Sequence, residues 1–372
     1  MQFIDLHAQQ KRLKADIDAG IASVLESGRY ILGPQVKTFE EKLAAFGEAK
    51  HAIGCANGTD AISLPLMAWE VGPGDAVFCP SFTYCATAEV IALLGATPVF
   101  IDIDRDTYNM DVESLKTAIA QVRAEGELTP RAVIAVDLFG QSADYKALAP
   151  IVREAGLKFI SDSAQGFGTT LDGHHPLHWT DVQTTSFFPA KPLGCYGDGG
   201  ATLTNDDDMA NKLGSLRVHG KGVDKYDNVR VGMNSRLDTL QAAILLPKLA
   251  VFGDEIEARN AVADRYRDGL AGVADRVPHV MDGVRSTWAQ YTIEVPDPHA
   301  FAAALKEEGI PTARYYPKPV HMQTAYEHYP VSGNGLPNTM ACIDHIISLP
   351  MHPYLEADDQ DRIIESAKKA LN

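Results

Sequence analysis

The sequence predicts an α/β protein with a large domain built on a central, mostly parallel sheet, followed by a smaller C-terminal α/β domain. Three observations predict it. Short apolar runs alternate with helical patterns between residues 52 and 161, as parallel strands joined by crossover helices require. The chain has 372 residues, too many for one small core and enough for two domains. The alternation stops near Asp181 and resumes on a smaller scale after a long helical region.

Taken in order, the first helix spans about Leu6 to Ser27, with Leu13, Ile17, Ile21 and Leu25 at spacings of four. Gly28 to Pro34 breaks it, and a second helix covers about Val36 to Phe46. Strands are expected at Ala52–Cys55, Ala76–Cys79, Pro98–Ile103, Ala132–Val136 and Lys158–Ser161. Helices are expected between them at Asp60–Trp69, Cys85–Leu94, Val112–Val122 and Asp144–Ala155. Gln183–Phe187 and Gly200–Leu203 read as strands flanking a loop. A long helix should run from near Arg236 to about Leu270, with a bend at Phe252-Gly253. The remainder reads as strand Gln290–Val295, helix His299–Glu308, strand Pro311–Arg314 and helix Ala357–Leu371. The domain boundary is placed near Val251, giving 1–250 and 251–372, with the N-terminal helix a candidate to pack on the second domain.

Composition narrows the function classes. The net charge of -16 argues against a nucleic-acid partner, which wants a basic surface. It leaves room for a small anionic ligand in a local positive site. The five cysteines are scattered without a C-x-x-C pair, so neither a disulfide framework nor a thiolate metal site is indicated, and a reducing cytoplasm is the expected location. The N-terminus lacks the basic-then-apolar pattern of a signal peptide, and no stretch approaches the roughly 20 apolar residues of a membrane span. His174, His175 and His178 lack an acidic or cysteine partner at ligand spacing and read as a turn, so no metal is expected. Ser161, Ser163 and Ser186 lack the Gly-x-Ser-x-Gly elbow of a serine hydrolase.

The chemistry centres on Ser186 to Gly200, S-F-F-P-A-K-P-L-G-C-Y-G-D-G-G. Lys191 stands there between prolines and glycines after an apolar run, and we read it as a Schiff-base lysine for pyridoxal phosphate. A surface lysine in a turn is the plainer reading of Lys191 alone, so the rest of the chain must supply what that cofactor needs. It needs a carboxylate at its pyridine nitrogen, an anion cradle for its phosphate and a surface against its ring. Asp162 ends an apolar run and should stand at a strand's carboxyl end, although capping is the commoner role of an isolated aspartate. Gln165, three residues on, can reach the cofactor's phenolic oxygen. Asn57-Gly58-Thr59-Asp60 follows the first strand and opens a helix whose backbone N–H groups suit a phosphate. Ser186 can add a hydroxyl to that phosphate. Tyr84 opens another helix and can lie on the ring face, although a lone aromatic at this spacing is more often core.

These pieces together resemble the DegT/DnrJ/StrS family of sugar aminotransferases, within the aspartate-aminotransferase-like group of pyridoxal phosphate fold type I. The resemblance covers nearly the whole chain. It includes Tyr30 to Pro34, Asn57 to Ala61, Asp75 to Thr87, Asp162-Ser163-Ala164-Gln165, the lysine stretch and Gly232 to Ala243. It implies Lys191 as the catalytic lysine and proton shuttle, Asp162 at the pyridine nitrogen and Gln165 at the phenolic oxygen. It also implies Gly58, Thr59 and Ser186 at the phosphate, and Tyr84 on the ring. Asn234 matches a residue that the family supplies to the phosphate across a dimer interface, so a homodimer with shared sites is implied.

Members that dehydrate sugars carry histidine in place of the lysine, which is present here. The Gly197-Asp198-Gly199 turn is similar to that of C3-aminating members. The full run is similar to members acting on UDP-linked 2-acetamido-2-deoxy-3-oxo-hexuronates in O-antigen synthesis, with glutamate as donor. Arg236 and His321 match positions that reach the substrate from the neighbouring subunit in that group, and Tyr315 shares the loop Arg314 to His321. Arginine suits a sugar carboxylate because its planar fork binds two oxygens. Amination at C4, or at C3, of a different nucleotide-linked keto-sugar, and a regulatory protein that has kept the fold without catalysis, are the alternatives.

Overall fold

The computed structural model describes residues 1–224, 226–333 and 335–371. The chain opens with α1 (Leu6–Ser27) and α2 (Pro34–Phe46). Then come β1 (His51–Cys55), α3 (Gly58–Ala68), β2 (Asp75–Pro80), α4 (Ala86–Leu93), β3 (Thr97–Ile101), α5 (Val112–Glu125), β4 (Thr129–Val136), α6 (Tyr145–Glu154) and β5 (Lys158–Asp162). A short β6 (Thr170–Leu171), β7 (Val182–Ser186), β8 (Gly200–Thr204), α7 (Asp207–Leu216) and the long α8 (Thr239–Leu270) follow. The chain closes with β9 (Val284–Arg285), β10 (Tyr291–Glu294), α9 (Pro298–Glu307), α10 (Pro337–Cys342), β11 (Ile346–Leu349) and α11 (Ala357–Leu371).

Helix starts follow the local chemistry. Asn57, Asp111, Asp144, Asp206 and Asp297 each accept a backbone N–H at the start of α3, α5, α6, α7 and α9, satisfying donors that the helix itself leaves open. Gly28, at φ 63°, closes α1 in the left-handed conformation that glycine adopts without strain.

The main sheet has seven strands in the order β1-β8-β7-β5-β4-β2-β3. β2, β3, β4, β5 and β7 pair in parallel, and only β8 runs against its neighbours. Successive strand residues point to opposite faces. Val77 and Cys79 join Ile134, Ile160 and residues of α3 in one core cluster. Ala76 and Phe78 join Val99, Phe159 and residues of α5 and α6 in another. Burial on both faces is why these strands read as continuous apolar runs rather than as alternating ones.

A further core gathers the second half of α8 with β10, β11, α9 and α11, through Tyr266, Leu270, Tyr291, Phe301, Ile347 and Ile363. The boundary expected near Val251 falls within α8, which runs unbroken from one core to the other. α1 lies along α8 on both sides of that point. Leu13 and Ile17 pack on Ile244, and Gln9 donates to both oxygens of Glu255 at 3.0 and 2.9 Å.

Two expectations differ from the structure. The helix is not interrupted at Phe252-Gly253, where Phe252 is buried in the core and Gly253 continues the helix. Pro311–Arg314 is not a strand. It makes one bridge, between Ala313 and Ser348, and Pro311 has no N–H for a ladder. The strand beside β10 is instead β11, paired antiparallel. Among the described residues no helix is long and apolar enough to cross a membrane.

Candidate active site

Parallel strands deliver their last residues to one edge of the sheet. β1 ends there at Cys55, β2 at Pro80, β4 at Val136, β5 at Asp162 and β7 at Ser186, while the reversed β8 starts there at Gly200. Loops at such an edge are where open α/β sheets bind ligands. A cavity of about 380 Å³ lies here. Gly58, Thr59, Tyr84, Asp162, Gln165, Ser186, Lys191 and Tyr315 all line it.

Asn57 caps α3 by accepting from Asp60 N at 2.8 Å, which leaves the N–H groups of the first turn facing the cavity's anion-friendly end. Close packing shapes that end. A Cβ on Gly58 would stand 2.6 Å from Ser186 Cβ, and one on Gly200 would stand 2.3 Å from the Asn57 carbonyl oxygen. Glycine at both positions lets β7, β8 and α3 converge on a cradle bordered by the Ser186 hydroxyl.

Asp162 is buried and pairs with Val136 and Thr184 in the sheet register. Its carboxylate accepts from Thr87 Oγ1 at 2.9 Å and from Ala164 N at 3.2 Å. Burial raises its pKa from the ordinary carboxylate value, while those two hydrogen bonds and the charge of Lys191 pull the other way. Burial lowers the pKa of Lys191, opposed by Asp162. The two groups thus share one electrostatic environment, with the lysine biased toward the neutral amine that carbonyl chemistry needs.

Gln165 is held at both ends of its amide. Its Oε1 accepts from Phe139 N at 2.8 Å, and its Nε2 donates to the Tyr316 hydroxyl at 2.9 Å. Burial raises the Tyr316 hydroxyl pKa, which keeps it neutral. Tyr84 is 57% exposed, and its ring stands 6.3 Å from that of Tyr316. A glycine-built anion cradle, a buried carboxylate and an amine of lowered pKa within one cavity fit a phosphorylated pyridine aldehyde.

Three expected residues lie elsewhere. Asn234 and Arg236 sit on the irregular segment before α8, outside the cavity lining, with Arg236 donating to the Asn234 side-chain oxygen. His321 is half-buried beside Ser81, with 2.6 Å between its Nδ1 and the Ser81 hydroxyl, and burial lowers its pKa. Conversely, Thr87, Gln290 and Tyr316 line the cavity without having been singled out, and Asp198 of the Gly197-Asp198-Gly199 turn lines it too. Thr87 stands in the first turn of α4, three residues after Tyr84, whose carbonyl accepts from its N–H at 3.3 Å. Tyr316 adjoins Tyr315. Gln290 carries no comparable signal.

A mostly parallel seven-stranded sheet, with its site at the carboxyl edge and a smaller α/β unit joined by a long helix, is the aspartate-aminotransferase-like fold type I. Residues 11–368 match the DegT/DnrJ/EryC1/StrS aminotransferase family, and the chain belongs to that family. It is 48% identical to the UDP-2-acetamido-2-deoxy-3-oxo-D-glucuronate aminotransferase of Pseudomonas aeruginosa, over 96% of each chain. It is 41% identical to a pleiotropic regulatory protein of Geobacillus stearothermophilus, over 97% of this chain and 96% of that one. The crystal structure of a DegT DnrJ EryC1 StrS aminotransferase from Brucella abortus superposes with a TM-score of 0.99 at 52% identity, covering 100% of both chains. NtdA of Bacillus subtilis with bound cofactor PMP superposes with a TM-score of 0.89 at 28% identity, covering 100% of this chain and 85% of that one.

Proposed function

We propose that this chain is a pyridoxal phosphate-dependent aminotransferase that transfers an amino group from glutamate to the 3-keto carbon of a UDP-linked 2-acetamido-2-deoxy-3-oxo-hexuronate, in the synthesis of O-antigen or another surface polysaccharide. The observation that carries the reading is the shared cavity of Lys191, Asp162 and Gln165, set against a glycine-built cradle. The 48% identity to the Pseudomonas aeruginosa enzyme supports the choice of substrate.

When bound, the cofactor supplies an electron sink for negative charge at the carbon that bears the nitrogen. The first turn of α3 and Ser186 hold its phosphate. Asp162 holds a proton on the pyridine nitrogen, which burial of the carboxylate would oppose without its two donors. Gln165 orients the phenolic oxygen, and Tyr84 covers the ring and limits water. Lys191, its pKa lowered by burial, takes the proton from the α-carbon of glutamate and later returns one to the sugar carbon. Asn234, Arg236 and His321 are assigned to the neighbouring subunit's site in a homodimer, where Arg236 would take the sugar carboxylate and Tyr315 would face it from the same chain. Residues 1–250 are assigned to the cofactor domain and 251–372 to the small domain. The proposed location is the cytoplasm.

The test is incubation of the purified protein with glutamate and the UDP-linked 3-keto sugar, followed by NMR of the product. Nitrogen on C3 is the expected result, and nitrogen on C4 or no aminated sugar contradicts the assignment. The relative named as a regulatory protein favours a second reading, a fold kept for regulation. That reading expects no amino transfer to any keto-sugar.

A further inference from the structure

The loop that bears Lys191 is held from behind by α8. Lys248 of α8 is 1% exposed. Its Nζ donates to the Gly194 carbonyl at 2.6 Å and stands 4.3 Å from the centre of the Tyr196 ring. Among the described residues no carboxylate lies within ion-pair distance of it. Burial lowers its pKa to about 8. Gln241 lies seven residues earlier, two turns back on the same face of α8. Its amide clasps Tyr196 from both sides. Oε1 accepts from Tyr196 N at 2.8 Å, and Nε2 reaches the Tyr196 carbonyl at 3.4 Å.

The loop transmits this grip to the lysine. Phe187 N donates to Gly199 O at 2.7 Å, Cys195 N to Phe187 O at 2.8 Å, and Lys191 N to Phe188 O at 2.8 Å. Gly194 is folded directly onto the turn before Lys191, because a Cβ there would stand 2.4 Å from Pro189 O and 2.8 Å from Phe188 O. The carbonyl that Lys248 holds therefore belongs to backbone in contact with the residues that aim Lys191. Packing alone does not call for a lysine here, because methionine fills a similar volume without desolvating a charge.

We propose that Lys248 and Gln241 form a clamp that fixes the loop bearing Lys191, with Lys248 a positioning residue for that amine. This rests on the aminotransferase reading for the chemistry it serves. The clamp holds the loop through backbone bonds and touches neither cofactor nor substrate.

The test uses Lys248→Met with pyridoxal phosphate bound. Three readouts apply: hydrogen exchange of residues 188–197, the pH titration of the cofactor's visible band, and the rate at which glutamate bleaches that band. Faster exchange, a displaced titration and a bleaching rate lower by about 10- to 100-fold are expected, with the half-saturating glutamate concentration changed by less than about twofold. Lower thermal stability with unchanged exchange, titration and bleaching rate in the folded protein would mean a merely structural lysine and overturn the clamp. Should Lys248→Met fail to fold, Gln241→Leu is read the same way, with smaller shifts in the same direction expected and none overturning the proposal. If glutamate fails to bleach the unaltered protein, the aminotransferase reading falls. Exchange and the band titration then still decide on the clamp.

Discussion

Asp162 and Gln165 on one stretch and Lys191 on another line one cavity, whereas Asn234, Arg236 and His321 lie outside it. The first set stands at or past strand ends: sheet register fixes Asp162 through its pairing with Thr184, and Gln165 and Lys191 follow β5 and β7. Asn234 and Arg236 stand on irregular backbone between α7 and α8 that also carries exposed Val223, Val229 and Val231. The difference teaches that one chain arranges most of the residues assigned to the cofactor, while Asn234, assigned to its phosphate, and Arg236 and His321, assigned to the substrate, need another source. We propose that the source is a second copy of this chain.

Removing a residue of the first set should have the largest effect. Lys191→Ala is expected to lower turnover by about 1,000-fold or more, measured as product formed per bound cofactor. Near-normal turnover would break the comparison at its firmest point. Asp162→Asn keeps the shape and one acceptor oxygen but loses the charge, and a fall of about 100-fold in the glutamate half-reaction is expected.

The second set should behave differently. Arg236→Ala is expected to raise the KM for the keto-sugar by about 10- to 100-fold while leaving the glutamate half-reaction unchanged. Mixing Lys191→Ala with Arg236→Ala subunits should restore about a quarter of the normal rate, because half of the random dimers would hold one intact shared site. No recovery on mixing would place both residues in the same chain's site.

Two smaller effects sharpen the picture. Asp137 lies beneath Asp162, fully buried, and accepts from Ala143 N at 3.0 Å, from the Tyr145 hydroxyl at 2.8 Å and from Ser161 and Ser163. Burial pushes its carboxyl up from 3.8 to about 7, against those donors. With the folded pKa above the unfolded one, the stabilisation is complete below 3.8 and is lost as pH rises through about 7. The melting temperature should therefore fall over that window more in the parent than in Asp137→Asn, as calorimetry can read. Last, Tyr84→Ala should weaken cofactor binding by about 3- to 10-fold and Tyr84→Phe should leave it nearly unchanged, because only the ring face is used.

The sheet and the cofactor residues were legible because both rest on local signals: apolar runs closed by turns, and Asp162 and Lys191 at the ends of such runs. The second unit was harder to read. Ile346 to Leu349 is a short apolar run that pairs with β10 across more than 50 residues, and four residues alone do not separate a strand from a buried turn. Pro311–Arg314 resembled a strand by position, but it contributes a single bridge. Within the cavity, Thr87 and Tyr316 escaped notice because their roles are relational. Thr87 matters through its bond to Asp162, and Tyr316 through its bond to Gln165, and neither partner is near in sequence.

The central claim is that Lys191, Asp162 and Gln165 form a working transamination site. The direct measurement is the visible absorption of the purified protein loaded with pyridoxal phosphate, before and after glutamate. A yellow protein is expected that glutamate bleaches and that a keto-sugar substrate turns yellow again, with Lys191→Ala failing to complete the cycle. A yellow protein whose colour glutamate leaves unchanged would contradict it.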